Sequence, residues 1–570
     1  MEMKDIKKFN QMEYVRPDIK SIEQQFNILL EEFNSSNNAE QQTQSMNKIN
    51  EIRNSFDSMS QLVYIRHTVN TNDEFYKKEQ EYMDEKKPIM ENITNKFYNA
   101  LVHSKYRDHL EEKWGKQLFE LAELTLKTFS PDIIEDLQKE NKLSSEYVKL
   151  IASAKINFEG DELNLQQLNA YTQSPDRKLR KKAENARTGF FVEHEEQFDN
   201  IYDQLVKVRT KIAKTLGYDS FTQLGYNRMS RTDYDARMVS NFRKQVREII
   251  VPLATKLRQR QQERIEISTL YNYDENFNFK SGNAAPKGDA EWIINHGKTM
   301  YKKLSPETNE FFQFMSNNEL MDLVSKKGKA GGGYCTYINE YKSPFIFSNF
   351  NGTSDDIDVL THEAGHAFQV YRSRSINLPE YKWPTAEACE IHSMSMEFLT
   401  WPWMELFFEE NTEKYKFAHL SGAILFIPYG VAVDEFQHFV YDNPEASPQQ
   451  RKAKWREIEK VYLPHRKYDD NHYLENGGFW QKQAHIFNFP FYYIDYTLAQ
   501  ICALQFWKRA QENPSEAWKD YLHLCNLGGS KSFIELVKEA NLISPFKDGC
   551  VQSVINEIEA WLDQVDDKKL

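Results

Sequence analysis

Apolar residues recur at the helical period through most of this chain. The long polar-faced runs Asp18–Phe33, Glu40–Leu62 and Asn95–Thr128 predict helices, with Asn34-Ser35-Ser36-Asn37-Asn38 as the turn between the first two. Ile156-Asn157-Phe158 and Leu163-Asn164-Leu165, around Glu159-Gly160-Asp161, read as a small hairpin. Ser174-Pro175-Asp176 restarts helix, with proline at an early helical position. A helical segment through Ala213-Lys214-Thr215-Leu216 stops at Gly217-Tyr218, and more helix follows to about Leu270. Tyr273–Gly288, with Gly282, Pro286 and Gly288, has the chemistry of a loop.

The pattern changes after Gly331-Gly332-Gly333. Tyr334–Ile338 and Pro344–Phe350 are rich in aromatic and β-branched residues and bounded by Gly or Pro, so they predict strands of a small sheet. Thr353-Ser354-Asp355-Asp356 then starts a helix, with capping hydroxyls and acids in its first turn. Ile357, Leu360, Ala364, Ala367, Phe368 and Tyr371 continue it at helical spacing to about Ser373, before Asn377-Leu378-Pro379. Pro384-Thr385 opens the next helix, Ala386–Phe398.

Composition narrows the class. A chain of 570 residues, 40% hydrophobic and 14% aromatic, can bury a large core in about two to four domain-sized units. Sparse Gly and Pro suit a mostly helical protein. A net charge of −13 argues against a nucleic-acid partner. The basic run Arg177–Lys182 reads as a solvated helix face, because acids surround it. Met1–Lys7 has no apolar run, so no secretory leader is expected, and no stretch shows the roughly 18 apolar residues of a membrane span. Cys335, Cys389, Cys502, Cys525 and Cys550 are odd in number and scattered, as reduced thiols in a cytoplasmic protein would be.

The chemistry centres on His362-Glu363-Ala364-Gly365-His366. On a helix, i and i+4 share a face, so both histidines can present nitrogens to one metal ion. Glu363 lies one residue further round, placed to act as a base on water beside that ion. The structural alternative is a buried helix with two satisfied core histidines. A catalytic zinc site takes a third protein ligand. The Ala386–Phe398 helix carries Glu387, Glu390, Met394 and Glu397 along one stripe. Glu390 sits mid-stripe, and Glu387 competes from one turn earlier. Glu397 is roughly 10 Å along the axis from Glu390, too far for the same ion but suited to orienting a ligand. Asp358 is a weaker candidate for orienting an imidazole.

These residues resemble the thimet oligopeptidase family of zinc metallopeptidases, most closely its oligoendopeptidase F branch. The resemblance rests on His362–His366 followed by Glu390-Ile391-His392-Ser393-Met394-Ser395-Met396-Glu397-Phe398. Phe350–Thr353, Phe491–Tyr496 and Leu527-Gly528-Gly529-Ser530 support it. It implies a predominantly α fold, two helical halves enclosing a deep substrate groove, and short peptides as substrates. It is specific over about residues 210–550; residues 1–200 are read as a helical N-terminal region forming part of the groove wall and 201–570 as the catalytic domain. The family's third ligand is a Glu followed seven residues later by another, which falls on Glu390 and Glu397.

Family active-site tyrosines match Tyr493 and Tyr496, whose i,i+3 spacing lets both hydroxyls point one way. A family histidine matches His485 with a one-residue gap, and His472 is the other candidate. The expectation is a zinc-dependent endopeptidase, with one Zn²⁺ on His362, His366 and Glu390. Glu363 is the general base, and Tyr496, Tyr493 and His485 stabilise the oxyanion. A peptide-binding protein without turnover would not need Glu363. A carboxypeptidase or dipeptidyl-peptidase would need a residue that captures a free terminus, and the sequence identifies none. No nucleic-acid, membrane or obligate protein partner is expected.

Overall fold

The computed structural model describes residues 7–570, so the leader reading of the first six residues lies outside it. The described chain forms two compact units, each built from three segments. The first takes residues up to Leu126, Ala285–Glu409 and Ala503–Leu542; the second takes Lys127–Ala284, Glu410–Cys502 and Ile543–Leu570. The sequence-level division at 200/201 falls inside the helix Glu195–Thr215.

In the first unit, Ile19–Ser35, Ala39–Val69 and Glu74–Val102 pack on one another. Each starts where a side chain accepts the orphan N–H groups of the first turn: Asp18 from Lys20 and Ser21, Asn38 from Gln41, Asp73 from Phe75 and Tyr76. Phe26, Phe33, Met46, Ile49 and Phe97 fill the space between them. The single run expected over Asn95–Thr128 is broken into Glu74–Val102, Arg107–Trp114 and Lys116–Lys127. Gly115, at φ 88°, makes the second break in a conformation that costs other residues strain.

The three-stranded sheet has the order Met321–Val324, Ser343–Phe350, Tyr334–Ile338. Ser343–Phe350 is central, and all its residues but Asn349 are buried. It pairs antiparallel with Tyr334–Ile338 (Tyr334 opposite Phe347, Ile338 opposite Ser343) and parallel with Met321–Val324. That four-residue strand has too few residues for alternation to show in sequence. The helix Asp355–Ser373 packs against both Ser343–Phe350 and Tyr334–Ile338, so the expected sheet does lie beside the motif helix. Its start is held by Asp356, whose carboxylate accepts the Asn351 and Gly352 N–H groups at 2.8 Å each.

The second unit is also helical. Ile134–Ala152 packs on Glu195–Thr215, where the buried Arg209 donates to Glu140 at 2.7 Å and to the Tyr441 hydroxyl at 3.0 Å. The hairpin forms with Ile156 opposite Leu163, but its second strand is Asp161–Leu163. Glu159 and Gly160, both at positive φ, make a two-residue turn tighter than the spacing suggested.

The structure amends two sequence readings. One helix, Glu405–Asp442, is long and apolar enough to cross a membrane, which the sequence reading passed over, but 61% of its apolar window is buried within the protein. Its run Phe417–Val433 is interrupted by His419 and Pro428 yet apolar enough, and its core role explains the composition. The basic run is likewise not simply solvated. Arg177 and Arg180 turn inward to Asp274, at 2.7 and 2.8 Å, and Arg180 and Asp274 are fully buried. Only a distant acid made that burial tolerable.

Asp274→Ala leaves the Arg180 charge buried without its acid and is expected to cost about 3–5 kcal/mol. Lys181→Ala, which removes partly exposed bridges to Asp469 and Asp470, should cost about 0–1 kcal/mol. Urea-denaturation midpoints of the two variants check the contrast.

Candidate metal centre and active-site residues

The site in the first unit is made by two helices brought into backbone contact. On Asp355–Ser373, His362 and His366 stand one turn apart, ring centroids 5.0 Å from each other and planes at 83°. Between them, Gly365 faces the helix Ala386–Leu399. A Cβ there would lie 2.7 Å from both the His392 carbonyl oxygen and the Ser393 Cα. Backbone on the far side cannot give way, so only glycine permits this approach. The approach carries Glu390 to the histidines. Its Oε2 is 3.3 Å from His362 Nε2 and 3.5 Å from His366 Nε2. Candidate donor atoms of His362, His366 and Glu390 all lie within 4.8 Å of one another, and no second such group occurs among the described residues.

Each donor is held from behind. His362 Nδ1 donates to Glu397 Oε1 at 2.7 Å, so that on loss of the second proton the lone pair would lie on Nε2, toward Glu390. The partner of that nitrogen is therefore Glu397 and not Asp358. The Ser393 hydroxyl donates to Glu390 Oε2 at 2.9 Å. Glu387 is also buried but stands outside the converging group.

Burial opposes charge throughout this cluster, and the pairing overrides it. Burial disfavours an imidazolium at His362, yet Glu390 and Glu397 beside it hold its proton well above the usual histidine range. Burial likewise works against ionised Glu390, but His366 and His362 keep it well below the usual carboxylate range. The cluster thus favours positive charge at its centre. Two imidazole nitrogens and one carboxylate oxygen are the donor set of a hydrolytic zinc site, so the residues fit that metal.

Glu363 points its carboxylate into the same region, 8% exposed. Burial raises its pKa, offset in part by the two histidines. Its Oε2 is buried without a hydrogen-bond partner among the described residues, which leaves that oxygen free beside the two histidines. Cys335 lies near enough to feel that charge. Burial first, and Glu363 second, push its thiol well above the usual range, so it is no thiolate nucleophile.

The tyrosines and His485 belong to the second unit. The helix Tyr493–Glu512 begins after Phe491, a buried non-glycine residue at φ 68°. Tyr493 and Tyr496 rings lie 5.7 Å apart, and His485 is 5.0 Å from the first and 5.8 Å from the second. The Tyr429 hydroxyl donates to Gln483 Oε1, so the Gln483 amide N–H faces His485 Nδ1 at 2.8 Å. That contact puts the proton of a neutral His485 on Nε2. Burial raises the Tyr493 pKa, keeping its hydroxyl a proton donor. His472 is exposed at the start of a short helix and has no ring contact with this group.

Residues 9–129 match the peptidase M3 N-terminal domain, and residues 170–554 match peptidase family M3. The chain belongs to peptidase family M3. Its relatives lie in the oligoendopeptidase F branch, as the sequence resemblance implied. A structure of PZ peptidase A with an inhibitor is 64% identical, covers 98% of this chain and 100% of that one, and superposes with a TM-score of 0.95. The oligoendopeptidase F homolog of Borreliella burgdorferi is 25% identical over 278 residues, 46% of this chain and 46% of that protein. The match thus spans about half the length of that curated relative. Oligoendopeptidase-F from Enterococcus faecium is 13% identical with a TM-score of 0.64, over 96% of this chain and 98% of that one, and shares the fold. Family membership implies peptide hydrolysis.

Sequence reasoning about this M3 peptidase missed Ser393, three residues after Glu390, and the Tyr429–Gln483–His485 chain. The i,i+3 spacing of Glu390 and Ser393 was a usable signal; the Tyr429 link, 54 residues from Gln483, had none. It also passed over Gly365, although a small residue inside a helix facing another helix is itself a sign of close approach. Gly365→Ala is expected to destabilise by about 1–3 kcal/mol through overpacking. Gly422→Ala, with nothing within 4 Å of the new Cβ, should be neutral or stabilising. Thermal melting of both variants provides the comparison.

Proposed function

We propose that this chain is a zinc-dependent endopeptidase that hydrolyses internal bonds of short oligopeptides. The observation that carries the reading is the convergence of His362 Nε2, His366 Nε2 and Glu390 Oε2 beside the partnerless Glu363 Oε2. The first three would hold one Zn²⁺, which supplies a Lewis acid that polarises a peptide carbonyl and acidifies water.

The remaining work falls to this chain's own side chains. Glu363 takes a proton from the attacking water at its free oxygen and returns it to the leaving amine; its raised pKa brings it nearer the working pH of such a base. Glu397 fixes the His362 ring and Ser393 fixes the Glu390 carboxylate, so neither has to reorganise. Tyr496, Tyr493 and His485 are assigned as donors to the charge that develops on the carbonyl oxygen, Tyr493 remaining protonated well past neutral pH. All nine of these residues fall within 201–570, the span we assign to catalysis. The five cysteines, all free, suit a reducing compartment, and the cytoplasm is the location we assign.

Metal content and cleavage of an internally quenched peptide of about ten residues test the reading. The parent and Glu363→Gln should each hold one zinc, with turnover lower by about 10²–10⁴ in the variant. Absence of metal after reconstitution would remove the zinc assignment, and full turnover by Glu363→Gln would remove the base. Glu397→Gln should weaken zinc affinity about 10–100-fold, read by chelator competition. Tyr496→Phe should lower kcat with little change in KM; a pure KM effect would assign that hydroxyl to binding.

A further inference from the structure

The second unit carries a surface cavity of about 550 Å³ that the peptidase reading does not use. Four cationic side chains line it: Arg243 and Lys244 from the helix Ala236–Gln245, Arg247 from the turn after it, and Lys454 from the helix Pro448–Tyr462. His438 and Tyr462, both buried, also line it. Glu435 is the one carboxylate among the lining residues, and Asp434 and Glu457 reach Arg243 and Lys454 from beside the cavity. Cations still outnumber acids here, in a chain of net charge −13.

Two of the cations are already answered. Arg243 donates to the buried Asp434 at 2.6 Å and lies 3.8 Å from Glu435, which also accepts the Tyr462 hydroxyl. Lys454 is 2.7 Å from Glu457. Lys244 and Arg247 are exposed and make no hydrogen bond or ion pair among the described residues. Arg247 stands on a π-helical turn, Val246–Ile250, set between two α-helical stretches. Such turns are rare and concentrate at functional sites.

We propose that this cavity binds a compact, multiply charged phosphate. Arg247 offers a planar fork that pairs bidentately with phosphate oxygens, and Lys244 adds a mobile point charge. The cavity has room for more than one phosphate, which admits two or three linked phosphates, alone or on a nucleoside.

Isothermal titration of the intact zinc-loaded protein with inorganic tripolyphosphate, and separately with adenosine triphosphate, both with saturating magnesium, tests this. Binding by the parent should weaken about tenfold or more in the Lys244→Ala/Arg247→Ala double variant. The variant's melting temperature and peptide hydrolysis should stay at parental values. Lys519→Ala/Lys538→Ala, at a different surface cavity, should leave binding unchanged. Tighter binding of the nucleotide assigns the ligand a nucleoside; equal binding assigns the phosphates alone. Absence of binding of either probe by the parent, or equal affinity in the Lys244/Arg247 variant, overturns the proposal.

Discussion

The candidate site depends on one contact, backbone against backbone, where Gly365 meets the His392 carbonyl and the Ser393 Cα. Two helices that touch at this distance place residues on their facing sides within a few ångströms without long side chains having to reach. Glu390 can therefore approach both imidazoles while staying buried, and its remaining orientation is set by the hydroxyl of Ser393 on its own helix. The same helix returns one further turn on with Glu397, which fixes the His362 ring from its other nitrogen. Helical pitch separates those two acids by about 10 Å, so one can face the converging nitrogens while the other stands behind a histidine.

The electrostatic consequence is a small region built to favour a cation. Three carboxylates and two imidazoles are held where water is scarce, and burial alone would drive them all toward neutrality. Mutual pairing prevents this for His362 and Glu390, while Glu363, lacking a direct partner, keeps a raised pKa. A firmly ionised carboxylate thus stands a short distance from a more basic one, which is the contrast the proposed roles of ligand and base call for. The nearby thiols of Cys335 and Cys389 are pushed up, so they do not compete as anionic donors.

The second unit handles charge by a related rule. Arg180 with Asp274, Arg209 with Glu140 and Arg231 with Asp495 are buried pairs that join stretches far apart in sequence. In each, a shift of either partner would strand a buried charge, which is costly. Arg231 and Asp495 bear directly on the tyrosine segment, because Asp495 lies between Tyr493 and Tyr496 on the same first helical turn. The strained Phe491 just before it is held by a hydrogen bond from its N–H to Gln437 and by aromatic neighbours on several sides. The Lys244–Arg247 cavity stands apart from this rule, with two cations left unanswered.

Local sequence decided a good deal. The helical period set most elements, because it acts within a turn or two of chain. The motif helix runs over Asp355–Ser373 as the spacing indicated, although Ser354 makes no capping hydrogen bond and Asp356 holds the start instead. The two His–Glu–x–x–His imidazoles had to share a face because of that same period. Spacing alone left Glu387 and Glu390 open, since both lie on one stripe; the resemblance chose Glu390, and the Gly365 approach shows why that turn is the one that meets the histidines. Tertiary structure alone decided the inward turn of Arg177 and Arg180, whose acid lies over 90 residues away. It also decided the four-residue strand Met321–Val324, which exists because Ser343–Phe350 offers it an edge, and the burial of the apolar Glu405–Asp442 helix. Interactions within one or two turns are written in the order of residues, while long-range pairing depends on which surfaces the fold brings together.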